Sequence, residues 1–192
     1  MDDRLYRFLK YTAVAMALGW IGWSIVDTFV IERVPGSTAY QQGNILFEDG
    51  DYADALEQYD EALAADPASA AYTRAKARTL MQLGRYDESL TWFDRAVAMQ
   101  PFFGGTYANR GILHDRMGNY RRAVADYSKA VELDERVAEG PHWLVRFLRN
   151  QPEPPPTVAD RLAYLKQELA KPESERLLRV PELDSQQRTY KK

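Results

Sequence analysis

The chain repeats one pattern three times at a spacing of 34 residues. The stretches "GDYADALEQYDEALAADP", "GRYDESLTWFDRAVAMQP" and "GNYRRAVADYSKAVELDE" begin at Gly50, Gly84 and Gly118. A fixed period of this length is the signature of a repeat architecture, in which one supersecondary unit cannot bury its apolar face alone. The sequence therefore predicts a stack of three similar units, each built from two helices.

Each recurring residue type has a physical role in such a unit. A glycine ends the first helix by adopting a left-handed backbone, and an aromatic residue two positions later begins the second helix. Small residues lie where the two helices cross, a large aromatic side chain fills the space between units, and a proline ends the second helix. The small positions are Gly43, Ala77, Gly111, Ala55, Ser89 and Ala123, the aromatic positions are Tyr59, Phe93 and Tyr127, and the prolines are Pro67 and Pro101.

On these positions the chain resembles the tetratricopeptide repeat family, with repeats at 36–69, 70–103 and 104–137. The resemblance implies an all-α fold, in which antiparallel helix pairs stack into a right-handed superhelix with a concave groove. It implies no reaction, because members of this family mostly bind peptides or protein surfaces. We therefore expect a protein that is not an enzyme.

The first helix of each repeat lines the groove in this family, and the resemblance carries that role to matching positions here. Arg74 and Arg78 are four residues apart, so both guanidinium groups project from one helical face and would grip carboxylates. The alternative is an ordinary solvated face paired with nearby acids. The expected protein-binding groove comprises Tyr40, Asn44, Phe47, Arg74, Arg78, Met81, Asn109 and Ile112, with Ala108, Asp115 and Arg116 beside them.

Some members of the family bind acidic C-terminal tails of chaperones through a clamp of Lys, Asn and Arg residues. Asn44 and Asn109 partly resemble that clamp. Tyr40 replaces its first lysine, and Gly105 and Asn109 replace the lysine and arginine of the third repeat. These departures argue against the chaperone-tail interpretation.

The first apolar run covers residues 11–31 and is long enough to cross a bilayer as a helix. A cleavable signal peptide is the alternative, but no convincing cleavage site follows the run. Arg4, Arg7 and Lys10 precede the run and only Arg33 closely follows it, which predicts a cytoplasmic tail at 1–10 and periplasmic repeats in a bacterial inner membrane. The inverted orientation, with cytoplasmic repeats, is the other possibility.

Small and aromatic residues form two neighbouring stripes along this predicted span. They would allow another membrane helix to approach closely, although glycine is also ordinary in membrane helices. The expected packing residues are Ala15, Gly19, Gly22, Trp20 and Trp23.

The C-terminal third is expected to cover the end of the repeat stack. Residues 138–171 predict a capping helix around Trp143, a proline-rich linker and an additional helix that starts at Thr157. Residues 172–192 predict a short helix and a mobile tail. The helix around Leu162–Leu169 would either leave the groove free or fill it.

The junction "PFFGGTY" departs from the usual short, polar link between repeats. Phe102 and Phe103 either pack between the repeats or form an exposed aromatic tip that contacts a partner.

Composition excludes most chemistry. The chain has no cysteine, only two histidines, and a formal net charge of -3, which gives no electrostatic case for nucleic acid. We find no nucleophile elbow, phosphate loop or metal-ligand spacing, and we expect no catalytic residue, metal, cofactor or small-molecule substrate. His114 is expected to be a partly buried structural residue.

Two hypotheses follow for function. The main one is a membrane-anchored scaffold that binds proteins, membrane proteins among them, and supports assembly of a membrane or envelope complex as an accessory subunit or assembly factor. The alternative is a receptor or co-chaperone adaptor, which binds the termini of soluble clients transiently in the groove.

Overall fold

The computed structural model describes residues 3–29, 34–139 and 156–179, with the side chains of 25–29 left undescribed. Over these ranges all regular secondary structure is helical. Its α-helices are α1 Asp3–Phe29, α2 Ser37–Asp49, α3 Tyr52–Ala65, α4 Ala70–Gln82, α5 Tyr86–Met99, α6 Gly104–Arg116, α7 Tyr120–Leu133 and α8 Val158–Ala170. Two short 3₁₀ turns, Glu135–Val137 and Glu173–Glu175, complete the described secondary structure.

The six helices α2–α7 form three helical hairpins, and each hairpin packs on the next through α3 on α4 and α5 on α6. Glycine makes each hairpin turn possible. Gly50, Gly84 and Gly118 have φ values of 93°, 74° and 76°, a conformation that costs other residues energy. The second helices begin at Tyr52, Tyr86 and Tyr120, two residues after each glycine, as the repeat pattern predicts.

The core lies between the hairpins and is built around three aromatic side chains. Tyr59, Phe93 and Tyr127 are fully buried at equivalent positions of the three repeats. Gly43 and Gly111 lie against the rings of Tyr59 and Tyr127, at the crossing of the two helices in the first and third repeats. The small residues thus allow the backbone of one helix to approach an aromatic ring of its partner closely.

The end of the stack is covered by α8, which packs on α7. Its first turn is fixed by a reciprocal cap: the Asp160 N–H donates to the Thr157 hydroxyl, and Asp160 accepts from the Thr157 N–H. Leu165 is fully buried in the cluster that contains Ile112 and Tyr127, a burial that contributes about 2 kcal/mol. The predicted capping helix around Trp143 and His142 lies outside the described residues, as do most of the proline-rich linker and the tail beyond 179.

The segment after α8 is only partly helical. The sequence predicts a short helix there, and the structure has the 3₁₀ turn Glu173–Glu175, followed by extended backbone at Arg176 with φ of −76° and ψ of 128°. Residues 176–179 continue without regular secondary structure. This extended segment runs back beside α8.

The first helix differs from the transmembrane helix that the sequence predicts over 11–31. Among the described residues, no helix combines the length and the apolar character that crossing a bilayer requires. Within its described part, α1 carries Arg4, Arg7 and Lys10 on its first turns, and glycine, tryptophan and serine dilute its apolar residues. The prediction of a membrane span is therefore not supported.

No described residue of α1 is buried. Trp20 and Trp23 are 73% and 67% exposed, and a Cβ at Gly19 or Gly22 would contact nothing within 4 Å. The predicted packing stripe, which also includes Ala15, therefore contacts no other part of the chain that the structure describes.

Candidate functional site

The groove-facing residues of the first repeat form a small aromatic and polar cluster. Tyr40 is half-buried and stacks on Tyr72 with ring centroids 4.8 Å apart. Asn44 accepts a hydrogen bond of 2.8 Å from the Tyr59 hydroxyl. The Asn44 side-chain oxygen therefore already accepts a hydrogen bond from within the first repeat.

Arg74 on α4 rests on an aromatic ring from the following junction. Its guanidinium carbon lies 4.1 Å from the centroid of the Phe103 ring, and its Nη1 donates to Gln100 Oε1 at 2.6 Å. Burial lowers the pKa of Arg74, and the neighbouring Arg78 lowers it too. Within the described ranges no carboxylate pairs with Arg74, so a partly desolvated cation is held in place by neutral groups.

Arg78 lies one turn further along α4 and rests on a ring from the first repeat. Its guanidinium carbon is 4.7 Å from the centroid of the Phe47 ring, and it hydrogen-bonds the Tyr59 side chain. Burial raises the pKa of Tyr59 to about 12, although the Arg78 charge opposes the rise. The phenol is therefore neutral at physiological pH and belongs to the support of the site.

The predicted apolar contacts of the groove are mostly part of the core. Phe47, Met81 and Ile112 are 6%, 1% and 0% exposed, and Asn109 is 3% exposed. Such side chains offer a ligand almost no surface, so Phe47 acts as a platform for Arg78 and the others stabilise the stack. Tyr40, Arg74 and Arg78 remain as the half-buried residues of the predicted set, with Asn44 beside them.

The two junction phenylalanines differ, since one packs against a neighbouring side chain and the other is exposed. Phe103 packs under Arg74, whereas Phe102 is 82% exposed. One ring therefore supports the site, and the other presents an apolar surface at its edge.

Two ion-pair networks, the first partly buried and the second buried, join elements that sequence reasoning did not connect. Arg110 of α6 donates to both carboxylate oxygens of Asp126 at 2.7 Å, and to Asp94 of the preceding repeat at 2.7 Å. These carboxylates raise the pKa of Arg110 far above its usual value, through the Asp126 hydrogen bonds first. His114 lies near this network, and burial lowers its pKa, so it is neutral at physiological pH as a structural residue.

The second network joins α8 to the third repeat. Arg161 donates to both oxygens of Asp115 at 2.7 and 2.8 Å, and both side chains are buried. Asp115 also accepts a hydrogen bond of 3.2 Å from the Tyr127 hydroxyl. The sequence offers one signal for this pair, since a buried acid on a groove-lining helix needs a cation nearby.

Histidine, aspartate and glutamate side chains do not gather into a metal-binding group of three or more within the described residues. The arrangement of the site instead suits the binding of anionic groups on a peptide, because guanidinium forks match carboxylate geometry.

Comparison with known families gives two matches. Residues 40–102 match one tetratricopeptide repeat model, and residues 106–136 match a second. These ranges coincide with the hairpins α2–α7.

Curated relatives match the same region. The human "DnaJ homolog subfamily C member 7" is 32% identical over 102 residues, covering 53% of this chain and 21% of the relative. A "small glutamine-rich tetratricopeptide repeat-containing protein 2" of Mycosarcoma maydis is 32% identical over 93 residues, covering 48% of this chain and 26% of the relative. The match thus spans only about a fifth to a quarter of each of these longer proteins.

Solved structures share the fold. The first repeat domain of Spaghetti (RPAP3), bound to the HSP90 peptide SRMEEVD, superposes with a TM-score of 0.59 at 20% identity, covering 73% of this chain and 98% of that one. The Sgt2 repeat domain from Aspergillus fumigatus gives a TM-score of 0.53 at 18% identity, covering 71% and 85%. At such identities these matches establish the fold alone.

Proposed function

The chain contains tetratricopeptide repeats related to those of co-chaperones, and we propose that they form a non-catalytic module that binds extended acidic peptide segments of partner proteins. Arg74 and Arg78 bind the carboxylates of the peptide, and the half-buried Tyr40 and exposed Phe102 contact its apolar side chains. This proposal corresponds to the adaptor hypothesis, in which client segments bind transiently.

The observation that carries the proposal is the state of the two arginines on α4. Each guanidinium is stacked on a ring, which fixes its position before any ligand arrives and reduces the entropy lost on binding. Burial is the main cause of the lowered pKa of Arg74, and the like charge of Arg78 on the adjacent turn lowers it further. An anionic ligand between the two arginines would relieve the repulsion between these like charges.

The relatives support the acidic class of peptide. The peptide in the Spaghetti complex, SRMEEVD, carries three acidic residues and one arginine. The present chain differs from the family's chaperone-tail clamp at Tyr40, Gly105 and Asn109. We therefore place the carboxylate contact on the second repeat, and not on the first and third.

The test is a binding titration with fluorescent SRMEEVD and with the analogue SRMQQVN, in which amides replace the three acidic side chains. The double variant Arg74→Glu, Arg78→Glu is expected to lose at least about tenfold in affinity for SRMEEVD, because charge-assisted hydrogen bonds contribute about 1.5–3 kcal/mol each. The amide analogue is expected to bind the native chain weakly.

A matched control has the same change in net charge at exposed positions outside the groove. Arg85 and Arg121 are exposed, and the variant Arg85→Glu, Arg121→Glu is expected to bind SRMEEVD within about twofold of the native chain, since exposed charges act weakly through screened solvent. Equal affinity of the Arg74, Arg78 variant and the native chain for SRMEEVD would refute the proposal.

A second candidate function rests on α1. Its exposed side chains, such as Met16, Trp20 and Trp23, form an apolar surface that favours burial against a larger partner. In this scheme the repeats belong to an accessory subunit or assembly factor of a complex at a bacterial inner membrane. Extraction in mild detergent, followed by mass spectrometry, would return a fixed stoichiometric set of membrane proteins.

A further inference from the structure

The extended segment that follows α8 is held by three side chains of that helix. The Tyr164 hydroxyl donates to the Leu177 carbonyl oxygen at 2.6 Å, and the Leu177 N–H donates to Glu168 Oε2 at 2.8 Å. Arg161 Nη2 donates to the Leu178 carbonyl oxygen at 3.1 Å. The segment Arg176–Leu178 therefore runs antiparallel to α8, with about one helical turn between successive contacts.

All three contacts are made to backbone atoms. The side chain of Leu177 is 66% exposed, so α8 does not select for the residue type at this position. Leu178 alone packs inward, against the hydrophobic cluster that contains Met81 and Ile112. Recognition through main-chain hydrogen bonds with one apolar side-chain contact is how proteins bind extended peptides with little sequence selectivity.

Two of the three side chains are held in place by groups other than the segment. Arg161 is fixed by its bidentate pair with Asp115, and Glu168 also accepts a hydrogen bond of 2.6 Å from Lys171. Arg161 and Glu168 thus keep their positions whether or not a strand lies on them, which is the preorganisation that a binding site requires.

We propose that Arg161, Tyr164 and Glu168 form a second peptide-binding site on α8, for an extended strand with one aliphatic side chain, and that the chain's own Arg176–Leu178 occupies this site in cis. Because only a short turn separates α8 from the segment, the segment has a high local concentration and a partner strand must displace it. Asp115 and Met81 belong to the groove-lining helices, so the bound segment also closes the third-repeat end of the groove. This last step rests on the proposed function, whereas the site on α8 does not.

The test releases the segment without touching the core. Leu177→Pro removes the N–H that donates a hydrogen bond to Glu168. Arg176 already has the extended conformation that a residue before proline prefers. Leu177→Ala is the matched control, because it shortens the same exposed side chain and keeps the N–H. The probe is a fluorescent peptide of residues 173–179, ESERLLR, added to the full chain.

The peptide ESERLLR is expected to bind the Leu177→Pro chain and to bind the native and Leu177→Ala chains at least about fivefold more weakly, the factor that corresponds to one lost hydrogen bond. Adding Tyr164→Phe to Leu177→Pro is expected to weaken peptide binding again by about fivefold. Absence of binding to the Leu177→Pro chain, or equal binding to the Leu177→Ala chain, would overturn the site. Should Leu177→Pro fail to fold, Tyr164→Phe alone is expected to speed hydrogen exchange at Leu177, and an unchanged exchange rate would overturn the contact.

A separate titration tests closure of the groove. SRMEEVD is expected to bind the Leu177→Pro chain about fivefold more tightly than the native chain. Equal SRMEEVD affinity for the two chains would overturn the closure while leaving the site on α8 in place. If SRMEEVD binds neither chain but ESERLLR binds the Leu177→Pro chain, the proposed function fails and the second site stands.

Discussion

The close approach between Gly111 and Tyr127 provides a quantitative test of how the repeats pack. A Cβ at Gly111 would lie 2.6 Å from Cδ1 and 2.7 Å from Cε1 of the Tyr127 ring. The ring is fully buried, and its hydroxyl is tied to Asp115. The ring therefore cannot withdraw without losing either packing or a hydrogen bond.

Gly111→Ala is expected to lower the free energy of unfolding by about 1–2 kcal/mol. Overpacking a core costs about 1–3 kcal/mol, and alanine recovers up to about 1 kcal/mol over glycine in a helix interior. Urea denaturation followed by far-UV circular dichroism measures the difference, with an unchanged m-value as the sign that only stability has moved.

The second repeat supplies the control, because it already has Ala77 at the equivalent position, facing Phe93 in place of a tyrosine. Phe93 has no hydroxyl to tie its ring. In the double variant Gly111→Ala, Tyr127→Phe the ring is freed, so the loss of stability is expected to be at least about 0.5 kcal/mol smaller than the sum of the single losses. A Gly111→Ala chain as stable as the native one, or strict additivity of the two changes, would refute this account.

Three further predictions concern ionisable groups. Burial raises the pKa of Tyr59 to about 12, whereas the phenol of the unfolded chain titrates near 10. The stability that this shift contributes is therefore complete below pH 10 and is lost as the pH rises towards 12. A titration of phenolate absorbance, with Tyr59→Phe as the reference, measures the pKa of Tyr59. Asp126→Asn leaves Arg110 without its bidentate partner and is expected to cost about 1–3 kcal/mol in urea denaturation. Lys171 and the Leu177 N–H lower the pKa of Glu168, so the Glu168–Leu177 contact is expected to persist above the ordinary glutamate pKa and to break as the pH falls through the lowered value, a change visible in the Leu177 amide resonance.

The helices of the repeats could be predicted from sequence because their signals are local. A glycine, an aromatic residue two positions later and small residues at the crossing recur with one period, and each acts within a single hairpin. The helix that begins after Thr157 also has a local signal, a capping residue three positions before Asp160. The membrane span has no comparable local signal, since it depends on average apolar character over a run that contains glycine, tryptophan and serine.

The neighbours of the groove residues could not be predicted in the same way. Arg74 and Arg78 share a helical face by their spacing alone. Their platforms are Phe103, at the junction with the following repeat, and Phe47, in the preceding repeat, so they depend on how successive hairpins stack. The burial of Met81 has the same origin, because a groove position at the contact between two repeats becomes part of the core.

The bond between Arg161 and Asp115 joins residues 46 positions apart, and this separation matters while the chain is being made. A ribosome adds about 5–20 residues per second, so Asp115 is synthesised roughly 2 to 9 s before its partner. During that interval the outer face of the third repeat, including Ile112 and Leu113, lacks the leucines of α8 that cover it in the finished protein. The third repeat of the nascent chain thus exposes an apolar surface that is prone to aggregation for several seconds. A chaperone that covers this surface would be useful until Leu165 has been synthesised.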